Sequence, residues 1–369
     1  MPLDMAAVDA LIERARRDVD SGRLPAAQLA LALDGRLVVN EAFGAATTDS
    51  RFSTFSMIKP VVSLVVMELA AEGLIDLHRP VADLLPSFGG NGKDRVTISQ
   101  VLLHAGGFPH APLRVEAWAD RGARLEAYAG WHLTAEPGTG YEYHASAGHW
   151  VIADVITEVT GRHHADVVAE RMLDPVGLPR MLAIDPAEQE DIVDLVSVGK
   201  EPEPGTYQAM FGVEPLDTEV TNENLEAFND PGVRAAGNPG GGGIARAADL
   251  ALWYQEVLND DGTLLTPQVR TDALTQVRQN GVDWLGTPAN RTHAFVLAGD
   301  DGRANYRGHG HGASPLTFGH SGAKGQIAAA DPATGISYCY MTSGMERDDV
   351  VHGRRAIAIA TRAIACVHP

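Results

Sequence analysis

From Pro60 to Leu77 the chain reads PVVSLVVMELAAEGLIDL, an apolar run of about four helical turns. It predicts a buried helix over Ser56–Leu77. Residues 4–21 have the 3.6-residue periodicity of an amphipathic helix, and apolar helices are expected over 146–160, closed by Gly161, and over 247–258 and 350–366. Ala27–Leu33 and Arg36–Phe43 are apolar runs on either side of Asp34-Gly35, a strong hairpin signal. Thr292–Leu297, Thr317–Ser321, Gln326–Asp331 and Ile336–Thr342 read as strands separated by Gly or Pro turns. Residues 80–88 and 97–103 predict short helical turns, 109–138 is mixed and turn-rich, and 240–243 is a tight glycine turn. Residues 175–236, rich in Pro, Glu, Asp and Asn, read as irregular, and a coil of that length is usually functional or covers a site.

Strands thus occur early and late, with helices and loops between them. This order predicts an α+β protein with a discontinuous sheet domain, residues 1–77 plus 226–369, and a mostly helical insertion, residues 78–225. No internal repeat is visible.

Composition narrows the function. A formal net charge of -19 argues against nucleic acid or an anionic membrane as partner. No apolar run is long enough for a transmembrane helix, and the first residues lack the basic and apolar regions of a secretory signal. Cys339 and Cys366 form no metal or redox spacing and read as reduced thiols. A cytoplasmic protein is the expectation. The sequence leaves open whether it is a monomer or a homo-oligomer.

Ser56 and Lys59 stand three residues apart at the head of the buried helix, so one helical turn brings the amine to the hydroxyl. Free N–H groups and the positive end of the helix dipole favour negative charge there. A serine needs an adjacent base and an electropositive site to become a nucleophile. The same spacing recurs at Ser197–Lys200, in a loop, and at Ser321–Lys324, among glycines that do not sustain a helix. Only Ser56 opens a long apolar helix; its plain alternative is a helix cap beside a solvated lysine.

Two further stretches carry chemistry. In PGTGYEYH, residues 137–144, a turn precedes a helix and could present Tyr141 or Tyr143 to a cleft. A phenol beside an ammonium can have its pKa lowered and exchange a proton with a serine, or it can simply pack. In FGHSGAKG, residues 318–325, a strand ends in small residues that let a carbonyl approach the backbone and find an N–H donor.

Taken in this order, the three elements resemble the serine β-lactamase, penicillin-binding protein and family VIII carboxylesterase superfamily, over most of the chain. Ser56–Lys59 is similar to its S-x-x-K, PGTGYEYH to its second motif with Tyr143 at the tyrosine, and His320-Ser321-Gly322 to its third motif. GLIDLHRPVADLLP at 73–86 and ISQVLLHAGGF at 98–108 add to the likeness. The resemblance implies a β-lactamase/transpeptidase-like fold, an antiparallel sheet flanked by helices, and no cofactor or metal. It implies Ser56 as the acylated nucleophile, Lys59 and Tyr143 as proton carriers with the base unassigned between them, and the N–H groups of Ser56 and Ala323 as oxyanion donors. His320, Ser321 and Gly322 would bind substrate.

Two departures bear on specificity. Ala145 stands where close β-lactamase relatives have an asparagine amide, and His320 replaces a lysine, so the third motif brings no fixed positive charge for a lactam carboxylate. The expected activity is therefore hydrolysis of small, fairly neutral esters. A β-lactamase, a D-aminopeptidase or amidase, or an acyltransferase would share the acyl-enzyme; a non-catalytic binding relative is a different class. His309-Gly310-His311 lacks a third ligand for a metal, His163-His164 follows a helix end, and GGNGK at 89–93 has Asp94 where a phosphate loop needs Ser or Thr. His104 and His110 flank a glycine turn and are expected to be structural.

Overall fold

The computed structural model describes residues 2–216 and 218–367. Its centre is a six-stranded, wholly antiparallel sheet. In chain order the principal elements are α1 (Met5–Asp20), β1 (Ala26–Leu33), β2 (Arg36–Gly44), α2 (Lys59–Ala71), α3 (Ala147–Thr160), α4 (Ala247–Asn259), β3 (Val296–Leu297), β4 (Phe318–Gly322), β5 (Gln326–Asp331), β6 (Ile336–Thr342) and α5 (Asp349–Ile364). The strands lie in the order β2-β1-β6-β5-β4-β3, so the first hairpin joins the last strands and the chain's two ends share one sheet. This is the α+β architecture expected from the residue pattern.

The hairpin closes as its sequence predicts. Asp34 and Gly35 both have positive φ, 52° and 73°, which is what a two-residue turn of the primed type requires. β1 is buried on both faces. Ala27, Leu29, Leu31 and Leu33 face a core with α1 and α5, while Ala26, Ala30 and Ala32 face a larger core with α4 and the helical region. The polar exception, Gln28, is satisfied: its amide nitrogen donates to the Thr47 and Ser50 carbonyls, and its oxygen accepts from the Ala247 N–H at the head of α4. The larger core continues without a break from α4 into α2 and α3.

Several expected boundaries move. The helix predicted over Ser56–Leu77 is a 3-10 turn at Phe55–Ile58 followed by α2, which stops at Ala71. Gly73, at φ 76°, ends it, with the Gly73 N–H on the Ala70 carbonyl and that of Leu74 on Leu69. The strand expected over Thr292–Leu297 is reduced to Val296–Leu297. The Thr292 hydroxyl accepts from the N–H groups of Ala294 and Phe295 and holds these residues in a tight turn. The 175–236 region is not coil throughout: it contains the short helices Thr206–Phe211, Asn222–Glu226 and Pro231–Ala236, and Val196–Val198 pairs in parallel with Gly344–Glu346. Cys339 and Cys366 are both buried and free.

Candidate active site

Ser56 sits in the 3-10 turn between a short antiparallel pairing, Phe52–Ser53 with Ile244–Ala245, and the head of α2. That pairing draws the glycine turn 240–243 against the serine. The Thr54 N–H donates to the Gly243 carbonyl at 2.8 Å. The end of β4 closes in from the other side: a Cβ on Gly322 would lie 2.8 Å from the Thr54 carbonyl oxygen, so only glycine permits this approach. Phe55, immediately before the serine, has φ 46°, and Lys324, just after Ala323, has φ 60°. Left-handed backbone at residues with side chains is uncommon, and here it bounds the site.

Lys59 is the first residue of α2 and is 1% exposed. Its Nζ lies 3.1 Å from Ser56 Oγ and donates to the carbonyls of Ala145, at 2.7 Å, and Gly240. Burial, with the positive charge of Arg291 adding to it, lowers its pKa to about 7. Neither of the other two Ser–Lys pairs makes such a contact. Ser197 accepts from the Asn222 amide, and Lys324 pairs with Asp349.

Tyr143 is held by its neighbours. The His104 carbonyl accepts from the Glu142 N–H and His104 Nδ1 accepts from the His144 N–H, so the residues on both sides of Tyr143 are anchored to one histidine. The His104 ring, itself on a backbone at φ 55°, packs 4.5 Å from the Tyr143 ring. Lys59 Nζ lies 5.2 Å from the centre of that ring. The phenol oxygen is buried without a hydrogen bond of regular geometry, although Ser56 is near enough to favour its anion. Of the two readings left open for the phenol, a lowered pKa does not hold: burial raises it, and the opposing pull of Arg291 and Ser56 is smaller. Tyr141 is raised for the same reason.

His320 is 6% exposed. Its Nδ1–H donates to the Ser321 carbonyl and its Nε2 accepts from Arg291 at 2.7 Å, a pattern that requires the neutral ring. Burial and Arg291 hold its pKa well below the usual histidine range. The Tyr143 and His320 rings are 6.1 Å apart. Arg291 is the residue the sequence reading missed. The site was expected to lack a fixed positive charge, yet this guanidinium lies behind His320 and 5.5 Å from the Tyr143 ring centre. No signal in the sequence marked it: Arg291 falls just before the expected strand Thr292–Leu297 and in none of the three motifs.

The cleft divides at the serine. One lobe, of about 580 Å³, is lined by Tyr141, Tyr143, Arg291, His320, Ser321 and Gly322 among others. The other, of about 440 Å³, has apolar walls from Phe55, Leu113, Trp118, Leu225 and Phe228. Ser56, Val220 and Ala323 line both. Met210, Phe211 and the 219–228 stretch supply part of the walls, so the long segment thought irregular does border the site. His110 pairs with Glu142 at the surface, and the His309 Nε2–H donates to the Val296 carbonyl. Among the described residues no group of His, Cys, Asp or Glu could hold a metal, and no helix is long and apolar enough to cross a membrane.

The family model described as Beta-lactamase matches residues 8–362. The esterase/beta-lactamase LipL of Mycobacterium tuberculosis is 26% identical over 356 residues, covering 84% of this chain and 75% of LipL. Penicillin-binding protein 4 of Amycolatopsis lactamdurans is 26% identical over 345 residues, covering 87% of this chain and 81% of that protein. Among solved structures, a penicillin-binding protein homolog from Caulobacter crescentus superposes with a TM-score of 0.77 at 24% identity, over 98% of this chain and 97% of the other. A family VIII carboxylesterase gives 0.75 at 24% identity, over 97% of each. The chain is a member of the Beta-lactamase family, with the β-lactamase/transpeptidase-like fold, and thus of a family of serine hydrolases.

Proposed function

We propose that this protein is a carboxylesterase that cleaves small, fairly neutral esters through an acyl-enzyme on Ser56. The observation that carries the reading is the hydrogen-bond inventory of Lys59. A neutral amine has two N–H groups and one lone pair, and the Ala145 and Gly240 carbonyls take both N–H groups. The lone pair then faces Ser56 Oγ, 3.1 Å away. With a pKa of about 7, Lys59 is the proton acceptor for acylation. Tyr143, kept protonated by burial, carries a proton to the leaving alcohol.

The steps balance without a cofactor. Ser56 Oγ bonds to the ester carbonyl carbon as its proton passes to Lys59. The oxyanion rests on the N–H groups of Ser56 and Ala323, whose residues line both lobes. The carbon–alcohol bond breaks and the alcohol takes the proton from Lys59 by way of Tyr143. Water then adds to the acyl carbon, gives its proton to the same pair, and the acid leaves as Ser56 is reprotonated. Tyr143 borders the larger lobe and not the smaller one, so the alcohol occupies the larger lobe and the acyl group lies among Trp118, Phe55 and Phe228. Ala145, with no side-chain amide, supports an ester over a lactam or a peptide.

Intact-protein mass spectrometry during turnover of p-nitrophenyl butyrate tests the reading. A butyryl adduct on Ser56, absent from Ser56→Ala, is expected. Faster turnover of a chromogenic cephalosporin than of the ester would replace the esterase reading with a β-lactamase one.

A further inference from the structure

Among the described residues, Arg291 has no carboxylate paired with it. It is 4% exposed, donates from Nη2 to the neutral His320, and leaves Nη1 buried with no partner. Its central carbon lies 5.5 Å from the ring centre of Tyr143 and 6.0 Å from that of Tyr141. The faces of these rings favour a cation but do not neutralise it. The neighbouring Arg307, by contrast, is paired with Asp301. Burying a guanidinium without a carboxylate is costly, and an apolar side chain would fill the same space more favourably.

We propose that Arg291 is the fixed cation of the site, a positioning residue that determines which of Lys59 and Tyr143 holds the proton Ser56 must lose. The inference rests on the reading of Ser56, Lys59 and Tyr143 as the reacting cluster, and it adds a residue to that reading. Burial disfavours the charged amine and the Arg291 cation adds to that, so Lys59 gives up its proton readily after acylation. The same charge favours the Tyr143 anion in the moment after the phenol has given its proton away. His320 cannot take this role, because both its nitrogens are committed in the neutral form. Arg291 opposes the Lys59 charge, Glu219 favours it, and His104, His144, His149 and His320 are held neutral by burial.

The test is a pH titration of the full chain labelled with 13C at the lysine ε-carbons, which are only those of Lys59, Lys93, Lys200 and Lys324. Arg291→Met keeps the volume between the rings and Arg291→Gln keeps a donor for His320; Arg291→Lys keeps the charge. Wild-type Lys59 is expected to titrate at about 7. In the two neutral variants its pKa rises by roughly one unit, and the acid limb of kcat/KM moves with it. Arg291→Lys restores the wild-type position. An unchanged Lys59 titration in a folded neutral variant overturns the inference. If neither neutral variant folds, a wild-type Lys59 that titrates in the ordinary lysine range overturns it as well. A shifted Lys59 in a protein that hydrolyses no ester leaves Arg291 in its role and removes the esterase reading instead.

Discussion

Lys59 Nζ lies 3.1 Å from Ser56 Oγ, and two backbone carbonyls occupy the rest of its hydrogen-bonding capacity. In the proposed mechanism the neutral amine is the reactive form. Activity is therefore expected to fall as pH drops below about 7, where Lys59 becomes protonated, and to level off above it. A kcat/KM profile for p-nitrophenyl butyrate from pH 5 to 9 checks this; a flat profile across pH 7 would assign the base elsewhere.

The same lysine makes a prediction about stability. Its folded pKa is depressed from 10.5 to about 7, so between these values the unfolded chain binds more protons and stability rises with pH. Below pH 7 the full burial penalty applies. Lys59→Met removes the penalty, so its stability relative to wild type should be greatest at pH 6 and decline by roughly 2–3 kcal/mol towards pH 9. Urea denaturation at the two pH values measures the difference, and a gap that widens with pH would contradict the sign.

Tyr143 and Tyr141 border the same lobe, but only the Tyr143 ring has Lys59 over it. Tyr143→Phe should lower kcat by about 10²–10³, the usual range for a proton-transfer group. Tyr141→Phe should lose less than about tenfold. Equal losses would mean the phenols act through packing.

Gly322 leaves room for the end of β4 to meet the serine turn. Gly322→Ala places a Cβ 2.8 Å from the Thr54 carbonyl oxygen and 3.1 Å from the Gln326 Cβ, so the backbone must shift to admit it. A cost of about 1–3 kcal/mol in stability is expected. The fall in kcat should exceed any change in KM, because the strand carries the Ala323 N–H.

Phe55 and Phe228 meet edge to face at 5.9 Å, and Trp118 lies 5.7 Å from Phe228. Shortening this wall in Trp118→Ala should cut kcat/KM for phenylacetyl esters by about tenfold relative to acetyl esters of the same alcohol, the value of a modest apolar contact. Unchanged selectivity would place the acyl group in the other lobe.

Much of this was legible in the residues. Asp34-Gly35 announced the first hairpin because a two-residue turn needs positive φ twice, and the apolar run after Lys59 announced α2. Ser56, Lys59 and Tyr143 could be singled out by local spacing and by resemblance, and the structure brings them together. Arg291 could not be, since its meaning depends on His320 and Tyr143, which approach it only in three dimensions. Nor did spacing reveal that Gly240 accepts from Lys59, or that His104 anchors both neighbours of Tyr143. The sign of the phenol pKa was left open for a related reason: a sequence shows which charges are near, but not how little water remains.

Lys59 finds one of its carbonyl acceptors, Gly240, 181 residues further along the chain, and β4 arrives later still. A chain emerging from the ribosome therefore carries its serine and lysine long before it carries the groups that make them reactive. Until the last strands close on the first hairpin, the growing polypeptide holds an ordinary hydroxyl. On the proposed reading, the reactivity of Ser56 is withheld until those later segments have been made and folded.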